Sequence, residues 1–332
     1  MADVRPVIAV DAMGGDHGPS TMVPGALAGR SANCSFDLAL YGDESAIKEA
    51  LAEAGAAESS VRIVHCTQDI DMGESPAVAV KTKQDSPIVR AMTDQKKGTV
   101  QAVLSAGSTG AMVAASLIIL GRLSGIKRPC ISTVMPCVTG ELVLVDAGAN
   151  IQVTPEHLVS FARMGEVFSR EMLGVANPTV GQLNIGGEAK KGTELCVETY
   201  QLLEASGLNF IGNIEGNQFM LGPCDVVVTD GFTGNITLKL VEGVAHFMGA
   251  LMKHPKINDE EKVALKTVLG FVQNNFTYEV YGGAMLLGVD GISVIAHGRS
   301  SVLAISNAVK AAGNMIEKDV PAKLMAAHAL DS

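Results

Sequence analysis

The chain has 332 residues, 47% of them hydrophobic and 18% charged, with 36 glycines. This balance is globular and excludes disordered and fibrous classes, and the length suffices for one large α/β unit or two lobes. With 25 basic against 35 acidic residues the formal net charge is -10, which argues against a broad nucleic-acid footprint and leaves only a local basic pocket open.

Met1 to Pro6 lead straight into a strand-like Val7-Ile8-Ala9-Val10, with no basic, apolar and cleavage regions of a leader, so the mature chain is expected to start here. Short aliphatic or β-branched runs then recur and mostly end in Gly, Asp or Asn: Leu38–Leu40, Val61–Val64, Val100–Leu104, Leu142–Val145, Val180–Leu183, Val226–Val228 and Ile292–Ile295. Amphipathic segments at Ser45–Ala54, Pro155–Leu173 and Gly192–Ser206 lie between them. Strand alternating with helix predicts an α/β fold of three layers, a mostly parallel sheet covered on both faces, built as one catalytic unit with two sublobes at most.

One stretch departs from the alternation. Apolar residues at Leu240, Val241, Val244, Phe247, Met248, Leu251 and Met252 stop at Lys253-His254-Pro255, and Val263, Leu265, Val268, Leu269, Val272 and Phe276 resume the pattern. This spacing predicts a projecting αα-hairpin over 236–276 that turns at Pro255 and Asn258-Asp259. Its apolar face is expected to pack on protein, or to touch a membrane through Phe247, Met248, Leu269 and Phe271 with Lys253, Lys256, Lys262 and Lys266 nearby. No run approaches the roughly 18 apolar residues of a membrane span, so a cytoplasmic chain is expected. The six cysteines show no metal-ligand spacing and are expected to be reduced core residues.

Chemistry-bearing residues concentrate where strands end, the place where open parallel sheets collect ligands. Ser105-Ala106-Gly107-Ser108-Thr109-Gly110 follows a strand and opens a helix, so its hydroxyls and N–H groups suit an anion. Asp230-Gly231-Phe232-Thr233-Gly234-Asn235 repeats that arrangement, and Asn184 to Gly192 adds Lys190 and Lys191 after another strand end. Asp11, Asp16 and His17 sit just past the first strand and His297 past the last, suited to proton transfer or orientation and weak as a metal set. Walker A, G-x-G-x-x-G, G-x-S-x-G and H-E-x-x-H signatures are absent, so neither a nucleotide cofactor nor a metal is expected.

The opening Ile8-Ala9-Val10-Asp11-Ala12-Met13-Gly14-Gly15-Asp16-His17-Gly18-Pro19 resembles the signature of the PlsX family of bacterial phosphate acyltransferases. Five later blocks do so in the same order: Ser105–Gly110, Val145–Asn150, Leu183–Gly192, Asp225–Lys239 with Glu242-Gly243, and Gly282–Gly298. The chain differs from the family pattern at Ser108, Gly187 and Met285. The resemblance implies an isocitrate/isopropylmalate-dehydrogenase-like fold, a homodimer, and peripheral contact with the inner membrane surface, beside a downstream glycerol-phosphate acyltransferase. The implied reaction moves a long-chain acyl group from acyl carrier protein to inorganic phosphate for phospholipid synthesis.

Phosphate is itself an oxygen nucleophile, so such an enzyme needs orientation and donors more than a Ser-His or Cys-His pair. On that reading Ser105, Gly107, Ser108, Thr109 and Gly110, with Gly231, Thr233 and Gly234, are expected to hold phosphate. Lys191 and Asn235 would stabilise the oxyanion, and Asp11, His17 or His297 would manage a proton. An acidic carrier protein would dock on Arg122, Lys127 and Arg128, with Lys81, Lys83, Arg90, Lys96 and Lys97 extending the basic surface. Two alternatives compete: an NAD-dependent dehydrogenase of the same fold, and a non-catalytic scaffold that docks lipid enzymes to membranes.

Overall fold

The computed structural model describes residues 5–30, 35–251, 254, 256–275 and 282–329, with only the backbone of 245, 246 and 271–275. Two compact units divide the chain: residues 1–129 with 281–332, and residues 130–280. In chain order the elements are β1 (Val7–Asp11), α1 (Pro19–Gly29), β2 (Asp37–Gly42), α2 (Glu44–Glu53), β3 (Arg62–His65), α3 (Pro76–Thr82), α4 (Pro87–Lys96), β4 (Ala102–Ser105) and α5 (Thr109–Ala115). The second unit holds β5 (Cys130–Cys137), β6 (Gly140–Val145), α6 (Pro155–Phe168), β7 (Thr179–Asn184), α7 (Glu194–Ala205), β8 (Asn209–Glu215), β9 (Val226–Val228), α8 (Gly231–Leu251) and α9 (Asp259–Asn275). The chain then returns to the first with β10 (Ala284–Leu287), β11 (Ile292–Ile295), α10 (Val302–Glu317) and α11 (Val320–Ala329).

In the first unit the strand order is β3-β2-β1-β4-β11-β10, parallel except that β10 runs against β11. Its central strands are aliphatic on both faces, with Ile8, Ala9, Val10, Val103 and Leu104 fully buried, as expected where helices flank both sides of a sheet. Helix α1 is crossed by α10 at very short range. A Cβ on Gly25 would lie 2.6 Å from the Ile305 Cβ, and one on Gly29 would lie 2.7 Å from that of Val309. Glycine at these positions is a packing requirement.

The second unit orders its strands β5-β6-β9-β7-β8, with only β5 and β6 antiparallel. The mostly parallel α/β architecture expected from the sequence is therefore present. Three strands were not anticipated. β5 contains Ser132, Thr133 and Pro136 and β8 contains Asn209, Gly212 and Asn213, so neither presents a clean aliphatic run, whereas β10 is the short apolar run Ala284–Leu287.

Helices α8 and α9 fall where the hairpin is expected, but α8 already begins at Gly231, at the end of β9. Phe232, Ile236, Leu240, Val244 and Phe247 lie exposed along α8. Met252, Lys253, Pro255 and Phe276 lie outside the described residues, as does the side chain of Phe271. Among the described residues no helix is long and apolar enough to cross a membrane.

Candidate functional site

In the first unit β1, β4 and β11 are parallel neighbours in register, so the loops leaving their carboxyl ends emerge together. Asp11 closes β1 and is buried. Its Oδ1 accepts the Met13 N–H at 3.0 Å in a local turn, and its Oδ2 accepts the Ser105 hydroxyl at 2.6 Å. The Ser105 Oγ in turn accepts the Gly107 N–H at 2.9 Å. Gly14 completes the corner, because a Cβ there would lie 2.8 Å from the Gly107 nitrogen. Burial pushes the Asp11 carboxyl up to about 6, against the lowering pull of the Ser105 and Met13 bonds. The β11 loop is tied in by the Ala296 N–H to Ser105 O at 2.9 Å and the Asp16 N–H to Gly298 O at 2.8 Å.

These bonds change two expectations. The hydroxyl proton of Ser105 and the N–H of Gly107 are spent inside the corner, so both shape the loop and neither is an open donor for phosphate. Next in sequence, Ser108 is buried and caps α5 by accepting the Ala111 N–H, Thr109 is exposed, and Gly110 packs against Pro76. His17 and His297 are both exposed, and the His297 Nδ1 accepts the Arg299 N–H at 3.1 Å.

The second unit repeats the device. Register places the ends of β6, β9 and β7 side by side. Asp146 follows β6, fully buried, and its carboxylate accepts five N–H donors: Ile131 at 2.9 Å, Gly148 at 3.1 Å, Ala149 at 3.0 Å, and Asn150 through its backbone at 2.7 Å and its side chain at 2.8 Å. Burial pushes this carboxyl up, against the lowering pull of the Ala149, Asn150 side-chain, Ile131 and Gly148 bonds. Asp146 was not foreseen as a site residue. Its signal was available, because Leu142-Val143-Leu144-Val145-Asp146-Ala147-Gly148 echoes Ile8-Ala9-Val10-Asp11-Ala12-Met13-Gly14.

Helix α8 starts against this turn. Gly231 N–H donates to Asn150 O at 2.8 Å, Thr233 N–H and hydroxyl donate to the Asp230 carboxylate at 2.9 and 2.8 Å, and Gly234 N–H donates to Asp230 O at 2.9 Å. The Gly231, Thr233 and Gly234 groups expected to hold phosphate are therefore consumed in building the corner. Asn235 remains exposed, with its Cβ 3.4 Å from where a Gly148 Cβ would stand. After β7, Asn184 donates to Lys191 O at 3.0 Å and folds the 184–192 loop back, leaving the Lys191 ammonium exposed and 4.0 Å from Glu188.

Other expected residues scatter. Arg122, Lys127 and Arg128 are exposed within residues 121–129, where Arg122 donates to Lys127 O. Lys83, Arg90, Lys96 and Lys97 are ion-paired to Glu74, Asp85, Asp290 and Asp94, so each charge is partly neutralised at home. Phe247 is 60% exposed and Met248 half-buried, but Leu269 is only 6% exposed, so its expected membrane contact gives way to packing. Cys66 and Cys224 are buried thiols pushed up to about 12, which disfavours the nucleophilic thiolate, and Cys34 lies outside the described residues. Among the described residues no group of three His, Cys, Asp or Glu is arranged to hold a metal.

A family model for fatty acid synthesis proteins matches residues 6–323. The phosphate acyltransferase of Desulforamulus reducens is 43% identical over 319 residues, covering 95% of each chain. That of Desulfitobacterium hafniense strain Y51 is 47% identical over 317 residues, covering 93% of each. Among solved structures, a phosphotransacetylase from Streptococcus pyogenes superimposes with a TM-score of 0.63 at 16% identity over 95% of each chain. The 4-hydroxythreonine-4-phosphate dehydrogenase of Klebsiella pneumoniae gives 0.51 at 14% identity, over 93% of this chain and 98% of that one. At such identities these two likenesses concern the fold, which is that of the phosphotransacetylases and related dehydrogenases. With the strand-end corners in place and identity of this order along almost its whole length, the chain belongs to the PlsX family of phosphate acyltransferases and is an enzyme.

Proposed function

We propose that this enzyme transfers a long-chain fatty acyl group from the thioester of acyl carrier protein to inorganic phosphate, and that the acyl phosphate formed supplies phospholipid synthesis. The observation that carries the reading is the 43% and 47% identity to two phosphate acyltransferases over more than nine-tenths of the chain. A phosphate oxygen attacks the thioester carbonyl carbon, a C–O bond forms, and the C–S bond breaks. The thiolate leaves and takes up a proton. The same family assignment argues against an NAD-dependent dehydrogenase and against an idle scaffold.

The roles are assigned around the two strand-end corners. Ser108, Thr109 and Gly110 at the start of α5 receive the phosphate. Lys191 and Asn235 stabilise the oxyanion, where one well-placed donor contributes about 3 kcal/mol. Asp11, with its carboxyl raised into the working range, manages a proton together with His17 or His297. High thiol pKa values at Cys66 and Cys224 fit direct attack by phosphate without an acyl-cysteine intermediate.

The carrier protein docks at Arg122, Lys127 and Arg128. The chain works as a homodimer, and Phe247 and Met248 meet the membrane surface. Consumption of an acyl-carrier thioester with and without orthophosphate tests the reaction. Loss that requires orthophosphate supports it, and loss at the same rate without orthophosphate rejects it.

A further inference from the structure

Asp146 has no place in the chemistry assigned above, yet it is the most heavily hydrogen-bonded carboxylate described, fully buried at the end of β6. We propose that Asp146 is the positioning residue for Asn235, acting through Asn150 and the first turn of α8. The proposal rests on the reading of Asn235 as an oxyanion donor.

The route is short and each link is a direct contact. Asp146 Oδ2 takes both the backbone N–H and the side-chain amide of Asn150, which fixes that residue in place. Asn150 O then accepts the Gly231 N–H at 2.8 Å and so fixes where α8 begins. The fit at that point has no slack. A Cβ on Gly231 would lie 2.7 Å from Asn150 O, and one on Gly234 would lie 1.9 Å from Asp146 O. Asn235 is the next residue along the helix and stands against Gly148, whose N–H is another of the Asp146 donors. The start of α8 is thus held from two sides by one carboxylate and the turn it organises.

Every partner of the carboxylate is a donor, so the role requires an acceptor at both oxygens. Asparagine has nearly the same shape but presents one acceptor and one N–H₂ group, which would face donors instead of accepting from them. Asp146→Asn therefore loosens the turn without opening a cavity, and Asn235 shifts with α8.

The test compares the parent enzyme and Asp146→Asn by steady-state acyl-phosphate formation and by hydrogen exchange at the amides of 231–235. A misplacement of about 1 Å lowers kcat about a hundredfold. The expected result is a kcat loss of that order, an unchanged KM for the acyl-carrier thioester, and faster exchange confined to 147–150 and 231–235. A kcat equal to the parent's overturns the proposal. So does a loss that follows the melting midpoint with exchange raised evenly through residues 130–280, because that marks a purely structural role. Should Asp146→Asn not fold, Asn150→Ser decides by the same measurements, since it deletes the side-chain bond to Asp146 and keeps the backbone one. A parent that forms no acyl phosphate removes the functional reading itself, and the exchange data then still report whether Asp146 holds α8.

Discussion

Asp11 and Asp146 occupy equivalent places, each buried at the end of a strand and each accepting the N–H of the residue two positions on. For Asp11 burial wins over its hydrogen bonds, and the carboxyl rises from 3.8 to about 6. The folded state then binds the proton more tightly than the unfolded chain does. Its contribution to stability is fully present below about pH 4 and is lost as pH rises through about 6, by about 3 kcal/mol in total. Denaturant unfolding at pH 4 and pH 7 should show this fall in the parent, and Asp11→Asn should remove it. An equal fall in the variant would mean that another group carries it. Lys191→Ala and Asn235→Ala each delete one outward donor, and each should lower acyl-phosphate turnover about a hundredfold or more on the scale of a lost oxyanion contact. Near-parental turnover in both would withdraw their roles.

At the scale of elements, the strand-to-loop corners were legible because an aliphatic run followed by Asp, Ser or Gly is a local pattern, as at Val10-Asp11 and Leu104-Ser105. What each donor bonds to was not legible. Ser105 and Thr233 look alike in sequence to open hydroxyls, but Asp11 and Asp230 claim them, and such satisfaction depends on residues distant in the chain or on the exact start of a helix. The antiparallel β5 was hidden for a different reason: Ser132, Thr133 and Pro136 interrupt its apolar run although every residue is buried. Helix α1 carries Pro24, Gly25 and Gly29 as breaks in its apolar pattern, and it packs closely on α10. That packing makes a prediction. Gly25→Ala forces a Cβ to within 2.6 Å of Ile305 and should lower unfolding stability by about 1–3 kcal/mol, measurable as an earlier denaturant midpoint.

At the scale of the whole molecule, a formal charge of -10 would repel an acidic carrier protein, the acyl donor proposed above. Arg122, Lys127 and Arg128, exposed within residues 121–129, are the proposed docking cations, and Lys83, Arg90, Lys96 and Lys97 face acidic partners. Carrier binding should weaken as salt rises, and charge reversal at Arg122 and Arg128 should raise the KM for the acylated carrier while leaving the KM for phosphate unchanged. A salt-independent KM in the parent, or an unchanged one in the variant, would move docking elsewhere.

The account as a whole stands on the acyl group going to phosphate. Incubation of acylated carrier protein with radiolabelled orthophosphate should give a labelled, chloroform-soluble acyl phosphate in equal amount to the carrier thiol released. Release of free fatty acid with the label remaining as orthophosphate would contradict it.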